Sequence, residues 1–128
     1  MTHSLASVTV DPSSPTPPFE QVRQQVLALV SAGALAAGTR LPTVRALAQE
    51  LGIAANTAAR AYRELESGGI IETRGRNGTF VAPHGDIVQR HAQEAAAAFA
   101  VRIRQLGVDP EQGLALVTAA LRAITAIR

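Results

Sequence analysis

The tightest constraint on how this chain folds is a spacing of small and apolar residues centred on Gly52. Counting from Leu47, Ala48 follows at once, Leu51 is four residues on, Gly52 five, Ile53 six, Ala58 eleven and Ala61 fourteen. Two short helices joined by a tight turn require such a set. A small Ala48 lets the helices cross closely, and Gly52 takes a left-handed backbone without steric cost. Ile53 fills the space between the helices. Leu47, Leu51, Ala58, Ala61, Tyr62 and Leu65 then lock both onto a preceding helix, the helix-turn-helix arrangement. A larger β-branched residue would fill position 58 better than Ala58 does.

With that face inward, the opposite face of the later helix shows Asn56, Ala59, Arg60 and Arg63, with Thr57 near its start. Asn pairs bidentately with adenine and Arg with guanine. A recognition helix offers such residues from its N-terminal part to the major groove. Thr43 is the expected N-cap of the earlier helix. Thr43 and Arg45 would sit over phosphates, where free backbone N–H groups and the helix dipole favour an anion. A plainer reading of the same residues has Asn56 as a cap, and Arg60 and Arg63 paired with Glu64 and Glu66 on a solvated face.

The flanking sequence extends the pattern. Residues 1–17 are polar and Pro-rich, an expected flexible arm in which Ser7–Val10 alternates and could add a short strand. A first helix is expected near Pro18, with Phe19, Val22, Val26, Leu29 and Val30 at helical spacing. After the helix-turn-helix, Ile70–Arg74 and Thr79–Val81 flank Gly75-Arg76-Asn77-Gly78 and read as a hairpin. A wing bearing Arg74, Arg76, Asn77 and Gly78 is shaped to approach a DNA backbone or minor groove. An ordinary polar turn is its plainer reading, but a helix-turn-helix followed directly by such a wing is rarer than either part.

Composition then excludes whole classes of chemistry. The 128 residues include no Cys, and all twelve basic residues are Arg. Without Lys there is no Walker-type phosphate loop and no Schiff base. Without Cys there is no disulfide, thiolate zinc site or thiol nucleophile. Arg suits phosphates and guanine edges, although a GC-rich genome would produce the same bias, and a net charge of +2 proves nothing by itself. Hydrophobic residues make up 47% and aromatic ones 3%, so the core is aliphatic and Ala-rich, which favours helix. No secretory signal or membrane-length apolar run is read, so a cytoplasmic protein is expected.

Together these stretches resemble the DNA-binding domain of the GntR family of bacterial regulators. The resemblance rests on Pro18-Phe19-Glu20-Gln21-Val22, Gly33–Gly38, Leu41-Pro42-Thr43-Val44-Arg45-Ala46-Leu47-Ala48 and Gly75–Val81. The run Asn56–Glu66 and the short tail are similar to the YtrA-like branch. The resemblance implies DNA contacts at Arg45, at Asn56, Thr57 and Arg60, and at the wing tip around Arg76–Gly78. The chain departs from many members at Ala54-Ala55 and at Ala59, which leaves the identity of the base contacts open. The resemblance also implies a regulator that often represses operons containing ATP-driven transporter genes.

The remaining chain reads as a long Ala-rich helix over Asp86–Leu106 and a last helix from Pro110. The last helix carries two apolar stripes, Leu114, Val117, Leu121 and Ile124, and Leu116, Ala120, Ala123 and Ile127. The preceding helix, through Ile87, Ala95, Phe99, Ile103 and Leu106, can cover only one of them. A second subunit is therefore expected, with Phe99, Ile103, Leu106, Leu114, Val117, Leu121 and Ile124 at the dimer contact; packing on the winged domain is the alternative. The tail is too small to enclose a usual ligand pocket. His84, Asp86, His91 and Glu94 lie close in sequence but read as polar surface at a helix start rather than a metal site. No catalytic constellation is found.

The expectation is thus a mainly α chain with a small β-hairpin: arm 1–17, winged helix-turn-helix 18–83 and a helical dimerisation tail 84–128. It is expected to be a non-enzymatic homodimeric repressor of an inverted-repeat, double-stranded DNA operator, with no cofactor and no metal. The effector is left open. A winged-helix adaptor that binds proteins without reading DNA is the alternative.

Overall fold

The computed structural model describes Leu5 and residues 7–126, the side chain of Ala126 excepted. Its order is α1 (Pro18–Ser31), α2 (Val44–Leu51), α3 (Ala55–Ser67), β1 (Ile71–Thr73), a 3-10 turn (Gly75–Asn77), β2 (Thr79–Val81), α4 (Ile87–Gln105) and α5 (Pro110–Ala126). Two compact units result, the first ending at Gln93 and the second beginning at Glu94.

In the first unit α1 and α2 both pack on α3. Val22, Val26 and Val30 form the buried stripe of α1, Leu47 and Ala48 that of α2, and Ala58, Ala61, Tyr62 and Leu65 that of α3. Val44, Leu51 and Ile53 are half-buried against the same core. Ala58 is fully buried, so the helices close on the small side chain where the sequence left room for a larger one.

The turn between α2 and α3 is set by Gly52, at φ 67° and ψ 35°. The Ile53 N–H reaches back to the Ala48 carbonyl at 3.0 Å, a Schellman closure that satisfies a carbonyl the helix end leaves open. Thr43 caps α2 as expected, its hydroxyl accepting from the Ala46 N–H at 3.1 Å.

The hairpin is antiparallel, with Ile71 opposite Val81 and Thr73 opposite Thr79. One pairing is absent from the sequence reading. The Gly38–Leu41 segment lies along the free edge of β2, with Arg40 bridged to Phe80. The Gly38 and Leu41 N–H groups donate to the Val81 and Thr79 carbonyls at 2.8 Å, and the Val81 N–H donates to Thr39 at 2.9 Å. The wing's second strand is therefore held on both sides.

The expected flexible arm with a strand over Ser7–Val10 is corrected where it is described. No strand forms there. Leu5 and Val8 are buried in the core, and two glutamines of α1 fasten the backbone. Gln25 accepts from the Thr9 N–H at 3.0 Å and donates to the Thr9 carbonyl at 2.6 Å. Gln21 accepts from the Asp11 N–H at 2.8 Å and donates to the Asp11 and Thr16 carbonyls. A Pro-rich segment cannot satisfy itself as a helix, so these side chains supply its backbone partners instead.

The start of α4 is built as a capping box. Asp86 accepts from the Gln89 N–H at 2.8 Å, and Gln89 accepts from the Asp86 N–H at 3.0 Å. Gln93 exchanges two hydrogen bonds of 2.9 Å with the His84 backbone. These bonds tie the first turns of α4 to the winged unit, which is why that unit extends ten residues past the boundary expected after position 83.

The second unit is a helical hairpin. Gly107, at φ 76°, turns the chain, and Asp109 caps α5 by accepting from the Gln112 N–H at 2.9 Å. Ile103 covers Gly113 so closely that an added Cβ would lie 3.1 Å from its methyl. The intra-hairpin face therefore runs through Ile103, Gly113 and the half-buried Ala97, Val108 and Val117. Ile87, Ala95, Phe99 and Leu106, expected on that face, are exposed. Ile127 lies outside the described residues.

Candidate nucleic-acid interface

The exposed side of α3 faces the beginning of α1 across a shallow groove of about 500 Å³ lined by Pro18, Phe19, Asn56, Thr57, Arg60 and Arg63. Four sequence candidates therefore share one surface. Asn56, Arg60 and Arg63 are exposed and Thr57 is half-buried. Asn56 sits inside the first turn of α3 and is not its cap; that position belongs to Ala54, which makes no side-chain capping bond. The groove wall supplied by Pro18 and Phe19 is not among the sequence candidates. Phe19 reads in the sequence only as the first member of an apolar stripe.

Arg60 is held on two sides. Its guanidinium carbon lies 3.7 Å from the centre of the Phe19 ring. Its Nε is 4.0 Å from a Glu64 carboxylate oxygen, an exposed and loose pairing one helical turn on. Arg63, Arg45 and Arg76 are exposed and make no ion pair among the described residues. Arg45 follows Thr43 in the first turn of α2, where backbone N–H groups have no helical acceptor. The plainer expectation, Arg60 and Arg63 both neutralised by Glu64 and Glu66, holds only for the Arg60–Glu64 contact. Glu66 is used otherwise: its carboxylate accepts from the Thr73 N–H at 3.2 Å and ties α3 to the wing.

On the wing the candidates separate. Arg74 is exposed, 2.6 Å from the half-exposed Glu72 carboxylate and 4.4 Å over the Phe80 ring. Arg76 and Asn77 occupy the exposed 3-10 turn at the tip. Gly78 adopts φ 112°, and a Cβ there would meet Arg40 Nε at 2.9 Å. The missing side chain lets the exposed Arg40 lie across the wing tip. Nothing in the sequence around Arg40 announces its place beside the wing, since the Gly38–Leu41 segment is too short to show a strand pattern.

Among the described residues no cluster of three His, Asp or Glu is placed to hold a metal ion. Asp86 and Gln89 are engaged in capping α4. No helix of the described residues is long and apolar enough to cross a membrane.

Comparison with known proteins agrees with this geometry. The family profile described as bacterial regulatory proteins, gntR family, matches residues 18–81. The HTH-type transcriptional regulator Rv1152 of Mycobacterium tuberculosis is 50% identical over 109 residues, 85% of this chain and 89% of that protein. The HTH-type transcriptional repressor YtrA of Bacillus subtilis is 43% identical over 75 residues, 59% of this chain and 58% of that protein. Among solved structures, YtrA from Sulfolobus acidocaldarius, a GntR-family transcription factor, superposes with a TM-score of 0.57 at 27% identity, covering 78% of this chain and 97% of that one. AraR(DBD) in complex with operator ORX1 superposes with a TM-score of 0.52 at 26% identity, covering 63% and 96%. With its winged helix-turn-helix matched throughout and most of its length shared with Rv1152, this chain belongs to the gntR family of bacterial regulatory proteins and is a DNA-binding transcriptional regulator rather than an enzyme.

Proposed function

We propose that the chain is a cytoplasmic, homodimeric repressor that reads an inverted-repeat operator. The groove along α3 carries this reading. It gathers Asn56, Thr57, Arg60 and Arg63 on one exposed surface, and such groups are what base edges in a major groove require. Thr43 and Arg45 at the start of α2 bind phosphate and set the register. Arg76, Asn77 and Gly78 enter the minor groove, with Arg40 beside them. Arg74, held by Glu72 and the Phe80 ring, adds an exposed guanidinium to the wing.

The homodimer rests on the second unit. Leu114, Leu121 and Ile124 are 66%, 60% and 70% exposed, and Phe99 on α4 and Leu106 in the turn after it are also exposed. Large aliphatic side chains in such a row require a cover, and a second copy supplies one with the two-fold symmetry of an inverted repeat. Ile103 and Val117 lie half-buried beside that row. The likeness to the YtrA repressor supports repression, and the branch resemblance supports a transporter operon as target. No directly bound effector is proposed.

Selection of purified protein on a random duplex library tests the proposal. Enrichment of an inverted repeat is expected, with binding that weakens steeply with salt. Failure to enrich any sequence would favour the adaptor reading, which Ala54, Ala55 and Ala59, poor in hydrogen-bonding groups, leave open.

A further inference from the structure

We infer that Phe19 is a specificity-positioning residue: its ring, delivered by the first turn of α1, orients the Arg60 guanidinium for reading one base pair. The inference rests on the DNA-binding reading above and adds a component that the recognition helix does not contain.

The geometry separates the two surfaces of a guanidinium. Its face lies over the Phe19 ring at 3.7 Å, and a π face attracts a cation. Its in-plane N–H edge, which makes paired hydrogen bonds to the O6 and N7 of guanine, is not consumed by stacking. The Glu64 carboxylate touches that edge only at 4.0 Å, and both side chains are about half exposed, 56% and 47%. Such a contact is weak and gives way to a base. The stack remains as the restraint on a side chain that otherwise loses several rotatable bonds' worth of freedom on binding.

Phe19 is itself well anchored. It is half-buried, packed against the core beside Val22 and Val26, and it follows Pro18 at the first position of α1, where a fixed φ suits a helix start. The same side chain thus touches the core on one side and forms a wall of the α3 groove on the other. An aliphatic residue at 19 would satisfy the core alone; a ring also supplies the surface on which Arg60 rests.

The test is a double-mutant cycle on the operator duplex obtained by selection, using the full-length chain. Affinities are measured for wild type, Phe19→Leu, Arg60→Ala and the double variant, on the operator and on duplexes carrying each alternative base pair. The expected result is that Phe19→Leu weakens wild-type binding about two- to fivefold and relaxes preference at the same base pair that Arg60→Ala relaxes. It should change nothing further in the Arg60→Ala background, and Phe19→Tyr should bind as wild type. Equal loss in both backgrounds, or no loss from Phe19→Leu, overturns the inference while leaving DNA recognition intact. A wild-type chain that selects no duplex overturns the DNA-binding reading and the inference with it. Thermal melts of the four proteins separate a folding loss from a positioning one, since only the latter depends on Arg60.

Discussion

In the proposed function, Arg60 and Arg45 meet a nucleic acid in different ways. Arg60 stands in the α3 groove over Phe19, where the proposal has it read a base edge, whereas Arg45 stands at the start of α2 beside N–H groups that suit a phosphate. Arg60→Ala is therefore expected to cost about 1–3 kcal/mol of operator affinity and to relax one base preference, whereas Arg45→Ala weakens all sequences alike and lowers the salt slope by about one. Gel-shift titrations at several salt concentrations distinguish them; equal effects on specific and random duplexes for both variants would contradict the assignment. Tyr62 serves the fold. Its buried hydroxyl donates to the Pro42 carbonyl at 2.7 Å, and burial, with a smaller contribution from the Glu50 charge, pushes its pKa well above the usual phenol range. Tyr62→Phe leaves that carbonyl without its partner and should cost about 1–2 kcal/mol in urea unfolding. Because the folded pKa is raised, the stability is complete below the unfolded value of about 10 and declines as pH climbs beyond it. The wild type should lose stability in that alkaline range, and Tyr62→Phe should lose less.

At the scale of elements, Gly52 carries the turn between α2 and α3 at φ 67°, with nothing within 4 Å of where a Cβ would stand. Gly52→Ala should therefore cost about 1–2 kcal/mol through backbone strain alone, with α2 and α3 retained by circular dichroism; a collapse of helicity would mean that the space was needed. This turn was legible in the sequence because periodic apolar positions and a glycine at a fixed offset report packing directly. So were the Thr43 cap, five helices and the hairpin. What stayed hidden depends on partners far apart in the chain. The Gly38–Leu41 edge on β2 is held by backbone bonds and leaves no pattern in its side chains. The N-terminal segment is tied down by Gln21 and Gln25, residues that in sequence look like the wet face of α1. The same limit applies to the site. Asn56, Arg60 and Arg63 follow from helical phase, but Phe19 beneath Arg60 and Arg40 across Gly78 follow only from the tertiary fold.

At the scale of the whole molecule, the second unit leaves Leu114, Leu121 and Ile124 uncovered while Gly113 and Ile103 close the hairpin itself. Folding of that hairpin and the proposed association of two copies would then rest mainly on different residues. Leu121→Glu is expected to shift sedimentation from dimer to monomer with helicity preserved, and to weaken operator binding by losing the second half-site. A wild-type chain that sediments as a monomer at micromolar concentration would contradict the dimer. The central claim, that the α3 groove and the wing tip receive duplex DNA, is tested most directly by titrating the isotopically labelled protein with its selected operator duplex and following amide and Arg side-chain resonances. The account predicts that the largest changes fall on Asn56, Thr57, Arg60, Arg45 and Arg76. Changes confined to α4 and α5, with those five residues unmoved, would contradict it.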